Sequence, residues 1–215
     1  MNKLQVPIEI TDFITNFCKS ISKIDPLYVD VLPDDGALVN ECFPNVERKI
    51  LRDYGEMIYG WQIWIWPEIF IEAEFHGVWK AQDGHIVDVT PKIPPMEKIL
   101  FLPDEYRKYE GFQIDNRRKK ISDNGVLDDY FFCNEALYAM KNYGDRKFRK
   151  ELILKNEESQ IFQFLVSAIY NLELFIAEKN NRNSPCFCHR NEKYKRCCGE
   201  TIRRMIVDLK EQYNF

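Results

Sequence analysis

The sequence predicts an α+β fold with an antiparallel sheet and packed helices, followed by a small cysteine-rich segment. The predicted elements run helix, strand, helix, then consecutive strands, then helices. Apolar residues make up 45% of the 215 residues, which suffices for a substantial core. A polar stretch at 180–185 separates this region from the cysteines. We therefore expect a main domain over 1–180, a cysteine-rich segment over 184–200 and a closing helix over 201–215.

Hydrophobic periodicity and turn residues define the individual elements. Apolar residues recur at helical spacing in four stretches, 10–24, 45–54, 128–143 and 157–179. Alternating or short apolar runs predict five strands, 28–32, 57–66, 68–79, 85–90 and 98–102. Proline or glycine ends most of these elements. The basic run 117–120 is expected to be a solvated loop.

The net charge and the absence of targeting signals indicate the compartment in which the protein is expected. The formal net charge is −4, so no global field would attract nucleic acid. The N-terminus lacks the basic and then apolar pattern of a signal peptide. The most apolar helix candidate, 161–177, is interrupted by Gln163, Asn171 and Glu173, so we do not expect it to span a membrane. A cytoplasmic protein is therefore expected, and its thiols would stay reduced.

Four of the seven cysteines fall within thirteen residues near the C-terminus, and they are Cys186, Cys188, Cys197 and Cys198. Thiolates at this density favour a soft metal ion, and Zn²⁺ takes four of them in a tetrahedron. Disulfides and free thiols are the alternatives, although the adjacent Cys197 and Cys198 are poor partners for one another. Four thiolates leave no open position for a substrate, so the predicted role is structural or partner-binding.

The segment 183–199 resembles the SEC-C motif, the zinc-binding tail of the bacterial SecA translocation motor. The resemblance rests on Pro185 before the first cysteine, the eight-residue gap, Lys193-Tyr194-Lys195, and Cys197-Cys198-Gly199. The chain departs from the motif at 189–191, which reads His-Arg-Asn where Gly or Ser is usual. The resemblance implies the four cysteines as zinc ligands. It also implies an interaction module that docks a ribosome, nucleic acid or chaperone.

A second candidate site follows from strand alternation in the first half. In the strand 68–79, Glu72, Glu74 and His76 share one face, and the residues of the other face are mostly apolar. In the next strand Asp88 has the matching parity. A loop centred on Gln82 pairs like faces and sets His76 directly opposite Asp88. The pattern therefore predicts a hydrogen-bonded His–Asp pair.

A nucleophile would complete this apparatus, and Cys42 is the candidate. It lies just before a predicted helix, whose positive end favours a thiolate. The order Cys42, His76, Asp88 resembles the transglutaminase-like branch of the papain-like cysteine proteases, over roughly residues 40–91. The matching residues are His76-Gly-Val-Trp79 and Asp88-Val-Thr90.

This second resemblance implies a thiol-dependent hydrolase or acyl transferase acting on peptide or amide bonds. Cys42 would be the nucleophile, His76 the base and then the acid, and Asp88 the orienting group. The Cys42 backbone N–H and either Asn40 or Gln62 would stabilise the oxyanion. The alternative function is a non-catalytic adaptor that docks its partner through the zinc segment.

Other residues have simpler interpretations. Glu72, Glu74 and His76 could instead bind a metal on one strand face. The tryptophans of 61–66 predict a strand packed on both faces, or, with Gln62, the wall of a substrate groove. Cys18 and Cys133 are expected to pack in helices, and Asp128 and Asp129 to cap one.

Overall fold

The computed structural model describes residues 4–149 and 151–215, which form two compact units. The first contains the chain up to Glu110 together with Ile114–Ser122, and the second contains Gly111–Gln113 and Asp123–Phe215. The sequence placed a boundary near residue 180. In this division the two long helices before that point belong to the same unit as the cysteine segment.

In its described residues, the first unit contains two α-helices and six strands. The helices are α1 (Asp12–Lys19) and α2 (Cys42–Asp53). The strands are β1 (Leu27–Val31), β2 (Glu56–Trp66), β3 (Phe70–Lys80), β4 (Ile86–Asp88), β5 (Lys98–Pro103) and β6 (Arg117–Lys120). Most bounds lie within a few residues of those predicted from periodicity.

The sheet closes into a small barrel. Its strand order is β2-β5-β1-β4-β3-β6, and β2 also pairs with β3 along its whole length. The prediction of an antiparallel sheet is wrong at one position, because β1 and β4 are parallel. The long crossover through α2, β2 and β3 permits this pairing, since parallel neighbours need such a connection.

The basic run forms β6 and is not a loop. It pairs antiparallel with the first residues of β3, Arg117 opposite Ala73 and Lys120 opposite Phe70. Arg118 donates to Glu72 of β3 at 2.5 Å, and both side chains are largely buried. The polarity of the run predicted an exposed loop, because Glu72, the partner of Arg118, lies more than forty residues away in sequence.

Packing on one face of β3 brings the start of α2 close to the strand. Ile71, Ala73 and Phe75 share an apolar cluster with Cys42 and Phe43. A Cβ added at Gly77 would lie 3.0 Å from Phe43 Cδ1. The absence of a side chain at this position therefore lets the first turn of α2 pack closely on β3.

The second unit is helical and contains α3 (Val126–Asn142), α4 (Asn156–Ala177) and α5 (Cys198–Tyr213). Within the described residues, α4 is the one helix long and apolar enough by composition to cross a membrane. It packs against α3 and buries Leu165, Leu172, Phe175 and Ile176. The core helix of a soluble protein meets the same criterion of length and composition.

Candidate functional site

His76 and Asp88 form a buried pair in the first unit. His76 Nε2 lies 2.8 Å from Asp88 Oδ2, and the two residues are 5% and 0% exposed. The two side chains therefore meet, as the strand alternation predicted.

The register that brings them together differs from the prediction. Trp79 pairs with Val87 and Lys80 with Ile86, so the hairpin is centred on Asp83 and not on Gln82. Asp88 therefore approaches His76 diagonally and does not lie directly opposite. The turn explains the shift, because Ala81 N donates to His85 O and Gly84 takes φ +90°. Parity is preserved, so both side chains stay on one face.

The Asp88 carboxylate has three donors. Oδ1 accepts from Thr90 N at 2.9 Å, and Oδ2 accepts from His76 and from Lys92 Nζ, the latter at 2.7 Å. Burial disfavours the charged carboxylate, but His76 and Lys92 outweigh it and hold the pKa of Asp88 below its usual range. The sequence analysis missed Lys92, because a spacing of four residues indicates a contact only on a helix and residues 88–92 are not helical.

Asp88 also determines the protonation of His76. Burial alone would lower the pKa of His76, but the adjacent carboxylate outweighs it and raises that pKa to about 9. The charge of Lys92 opposes this rise, and a negative charge on Cys42 adds to it. His76 Nε2–H therefore donates to Asp88, and Nδ1 is the nitrogen left for other chemistry.

We expect His76 to make stability depend on pH between about 6.5 and 9. Its pKa is higher in the folded state than its ordinary value of 6.5, so its stabilising contribution is complete below pH 6.5 and is lost as pH rises toward 9. Urea unfolding at pH 6 and pH 9 should therefore show a larger loss of unfolding free energy for the wild type than for His76→Asn. Equal losses in the two proteins would show that His76 is not charged in the folded state.

Cys42 is the first residue of α2 and retains 8% exposure. Among the described residues, no hydrogen bond joins its sulfur to His76. Cys42 packs with Ile71, Ala73 and Phe75, whose side chains lie on the face of β3 opposite to that of His76. The described residues therefore show no contact between the Cys42 thiol and the His76 imidazole.

Asn45, one turn after Cys42, is a second residue that the sequence analysis missed. Its Nδ2 donates to Leu38 O at 2.7 Å and to Thr90 Oγ1 at 3.2 Å, while Leu38 N donates to its Oδ1. The buried amide thus ties the loop before Cys42 to the segment after Asp88. Helix periodicity offered no signal for these long-range partners.

The two predicted oxyanion residues differ in their surroundings. Gln62 is 1% exposed, its Oε1 accepts from Lys92 Nζ at 2.9 Å, and its Nε2 has no partner among the described residues. A buried donor without a partner costs about 1–3 kcal/mol, so it requires an explanation. Asn40 is exposed and takes φ +63°. Gln62 is thus the better candidate for an oxyanion donor, because its amide is buried and Asn40 is exposed.

Among the residues that the structure describes, Glu72, Glu74 and His76 do not form a metal-binding cluster. Glu72 accepts from Asn116 and Arg118, and Glu74 accepts from Trp64 Nε1 at 2.8 Å. Neither carboxylate converges on His76. Trp61 is fully buried in the core with Ile63, as the packing interpretation of that strand predicted.

The four clustered cysteines converge in the second unit. Their sulfurs all lie within 4.8 Å of one another, and Cys188 Sγ is 3.2 Å from Cys197 Sγ. Sulfurs around a tetrahedral Zn²⁺ are about 3.8 Å apart, given Zn–S bonds of about 2.3 Å. The donor set and its spacing therefore fit a metal ion of this kind.

Short local contacts build this cluster. Cys186 N donates to Glu192 O at 2.8 Å, and Pro185 bridges to Lys193. A 3-10 turn over Tyr194–Arg196 leads to Cys197, and α5 begins at Cys198. Backbone turns thus bring the two cysteine pairs together across the gap.

Tyr194 anchors the cysteine segment to the helices of its own unit. It is 0% exposed, and its hydroxyl donates to Asp129 Oδ2 at 2.8 Å. Arg203 of α5 donates to both oxygens of the same carboxylate at 2.9 Å. Asp129 was expected to cap α3, but it is 1% exposed and links α3, the cysteine segment and α5.

The remaining cysteines behave as predicted. Cys18 and Cys133 are fully buried, and burial raises the pKa of each thiol to about 12. Neither belongs to the cluster.

Comparison with protein families finds one match, to the SEC-C motif over residues 182–200. The chain has no significant match among the curated proteins or the solved structures. The SEC-C assignment of the cysteine segment therefore has independent support. The comparisons give no support to the transglutaminase-like resemblance of residues 40–91.

Proposed function

We propose that the first unit is a thiol-dependent hydrolase or acyl transferase acting on amide or ester bonds. The observation that carries the proposal is the buried hydrogen bond between His76 and Asp88. A carboxylate-held imidazole is half of a nucleophilic apparatus, and we propose Cys42, at the start of α2, as its thiol. The proposal requires Cys42 to reach His76 from the apolar face of β3 on which α2 packs. The chemistry requires a compartment in which this thiol stays reduced.

The proposed reaction proceeds through a thioester. Cys42 reacts as a thiolate whose proton resides on His76 Nδ1, in keeping with the raised pKa of His76, and its sulfur attacks the carbonyl carbon of the substrate to form an S–C bond. The carbonyl electrons move to oxygen and return as the amine or alcohol leaves with the proton from His76. Water or an acceptor amine then attacks the thioester, with His76 again taking the proton, and Cys42 leaves as the thiol.

Gln62 is the best-placed oxyanion donor. Its buried Nε2–H has no partner in the described part of the chain, which is expected of a donor that acts only when a substrate oxygen is present. The Cys42 backbone N–H, at the first position of α2, has no acceptor within the helix and would supply a second hydrogen bond.

We infer that the four clustered cysteines bind Zn²⁺ and that this site is structural. Cys186, Cys188, Cys197 and Cys198 would supply four thiolates and close the coordination sphere. Bound zinc would contribute folding energy to the SEC-C segment and take no part in acyl transfer.

Selective alkylation tests the catalytic proposal. Zinc-loaded protein treated with limiting iodoacetamide should be modified at Cys42 at least about tenfold faster than at Cys18 or Cys133, because fully buried thiols are inert and Cys42 retains 8% exposure where the other two have 0%. Peptide mass spectrometry after quenching gives the three rates.

His76→Asn provides the matched variant for this experiment. It should slow alkylation of Cys42 and leave Cys18 and Cys133 unchanged. Equal labelling of the three thiols, or a Cys42 rate indifferent to the substitution, would contradict the proposal. Circular dichroism of each sample separates loss of reactivity from loss of fold.

The second candidate function is partner docking through the SEC-C segment. Exposed Arg190, Lys193, Lys195 and Arg196 surround the cysteines and favour an anionic partner such as a ribosome or nucleic acid. An inert Cys42 in a folded, zinc-loaded protein would favour this adaptor function.

A further inference from the structure

Lys92 lies at the centre of the candidate active site, although no sequence pattern assigns it a role. Its ammonium is 2.7 Å from Asp88 Oδ2, 2.9 Å from Gln62 Oε1 and 3.3 Å from His76 Nε2. Its side chain is 10% exposed. A lysine this buried loses hydration and keeps its charge only where acceptors replace the water.

The contact with Gln62 determines which way that amide points. An ammonium has only donors, so the oxygen of the amide must face Lys92. The amide Nε2 is then directed elsewhere, and no described residue accepts a hydrogen bond from it. Rotating the amide would set two donors against each other at 2.9 Å.

The contact with Asp88 sets the positive charge of Lys92 next to the negative charge of the carboxylate. Asp88 Oδ2 accepts from Lys92 and His76 together, so Lys92 keeps the carboxylate ionised whatever the protonation of the imidazole. The 3.3 Å contact between Lys92 and His76 Nε2 joins two donors and is a packing contact, because Nε2–H is already directed at Asp88.

We propose that Lys92 is a positioning residue that orients the Gln62 amide for oxyanion binding and supplies the fixed counter-charge of Asp88. This inference rests on the proposed function and assigns no contact between Lys92 and substrate. It predicts that Lys92 acts through Gln62, which makes the two residues energetically coupled.

A double-mutant cycle measures that coupling. Acylation of Cys42 by p-nitrophenyl acetate, followed as nitrophenolate release, should fall about tenfold to a hundredfold in Lys92→Met and similarly in Gln62→Ala. The double variant should be no slower than Gln62→Ala. Multiplicative losses in the double variant would overturn the proposal.

Nuclear magnetic resonance provides a readout that does not depend on activity. In the wild type the Gln62 side-chain amide should give one fixed pair of signals with no contact to the Lys92 side chain. In Lys92→Met these signals should shift and broaden as the amide gains a second orientation. Unchanged Gln62 signals would overturn the role of Lys92 even if acylation fails entirely. Fixed wild-type signals that change in the variant, without acylation, would sustain that role and refute only the proposed reaction.

Discussion

In the proposed reaction, replacing Asp88 with Asn should lower the rate of Cys42 acylation by about ten-thousandfold, as for another carboxylate-held histidine. The amide at position 88 must present its oxygen to Lys92, which already lies 2.7 Å from that carboxylate. His76 Nε2 then loses the carboxylate that holds its proton, and the competing tautomer carries the proton on Nδ1. That tautomer cannot accept a proton from Cys42.

Asp104→Asn is the matched control for this substitution. Asp104 is another buried carboxylate of the same unit, 5% exposed, and it accepts from Trp61 Nε1 at 3.0 Å. It makes no contact with His76, so its loss should lower stability and leave acylation near the wild-type rate. Equal losses of rate in the two folded variants would show that Asp88 acts only through stability.

Removing the proposed zinc ion has the largest expected effect on stability. Structural zinc sites contribute apparent free energies of about 10–16 kcal/mol to the folding of small zinc modules. A strong chelator should therefore unfold the SEC-C segment. The rings of Phe175, Phe187 and Tyr194 pack with centroids 5.3–5.9 Å apart, so their near-ultraviolet circular dichroism should be lost with the metal.

The loss should extend to the helices of the same unit. Tyr194 donates to the buried Asp129, which also accepts from Arg203 of α5. Displacing Tyr194 leaves that carboxylate with fewer donors, which costs about 1–3 kcal/mol. Thermal unfolding of the chelated protein should begin at a lower temperature.

Cys197→Ser and Cys133→Ser form a matched pair for the zinc prediction. Both remove one thiol, but only Cys197 belongs to the cluster. Metal analysis should find one zinc per chain in the wild type and in Cys133→Ser, and a large loss in Cys197→Ser. Equal zinc content in the two variants would exclude Cys197 as a ligand.

Local patterns predicted the parts of this molecule that depend on neighbouring residues. The hairpin of β3 and β4 has a short loop, so alternation alone put His76 and Asp88 on one face. The cysteine cluster spans thirteen residues, and its spacing was sufficient to propose a metal. The predicted hairpin register was wrong, because the observed turn is centred on Asp83 and the predicted turn was centred on Gln82.

Contacts between distant segments could not be predicted in the same way. Three such contacts join residues far apart in sequence. They are the parallel pairing of β1 with β4, the hydrogen bond from Asn45 to Thr90 and the hydrogen bond from Tyr194 to Asp129. Lys92 was overlooked for a related reason. Its role follows from Gln62, which lies thirty residues away and reaches it only once the barrel has closed.

Detection of a thioester on Cys42 tests the central claim most directly. Zinc-loaded wild-type protein exposed briefly to p-nitrophenyl acetate and quenched in acid should gain one acetyl group, located on the Cys42 peptide and removed by hydroxylamine. Cys42→Ser should show no hydroxylamine-labile group, and His76→Asn should accumulate it far more slowly. Acetylation spread over lysines and other cysteines, with none enriched at Cys42 in the folded protein, would contradict the account.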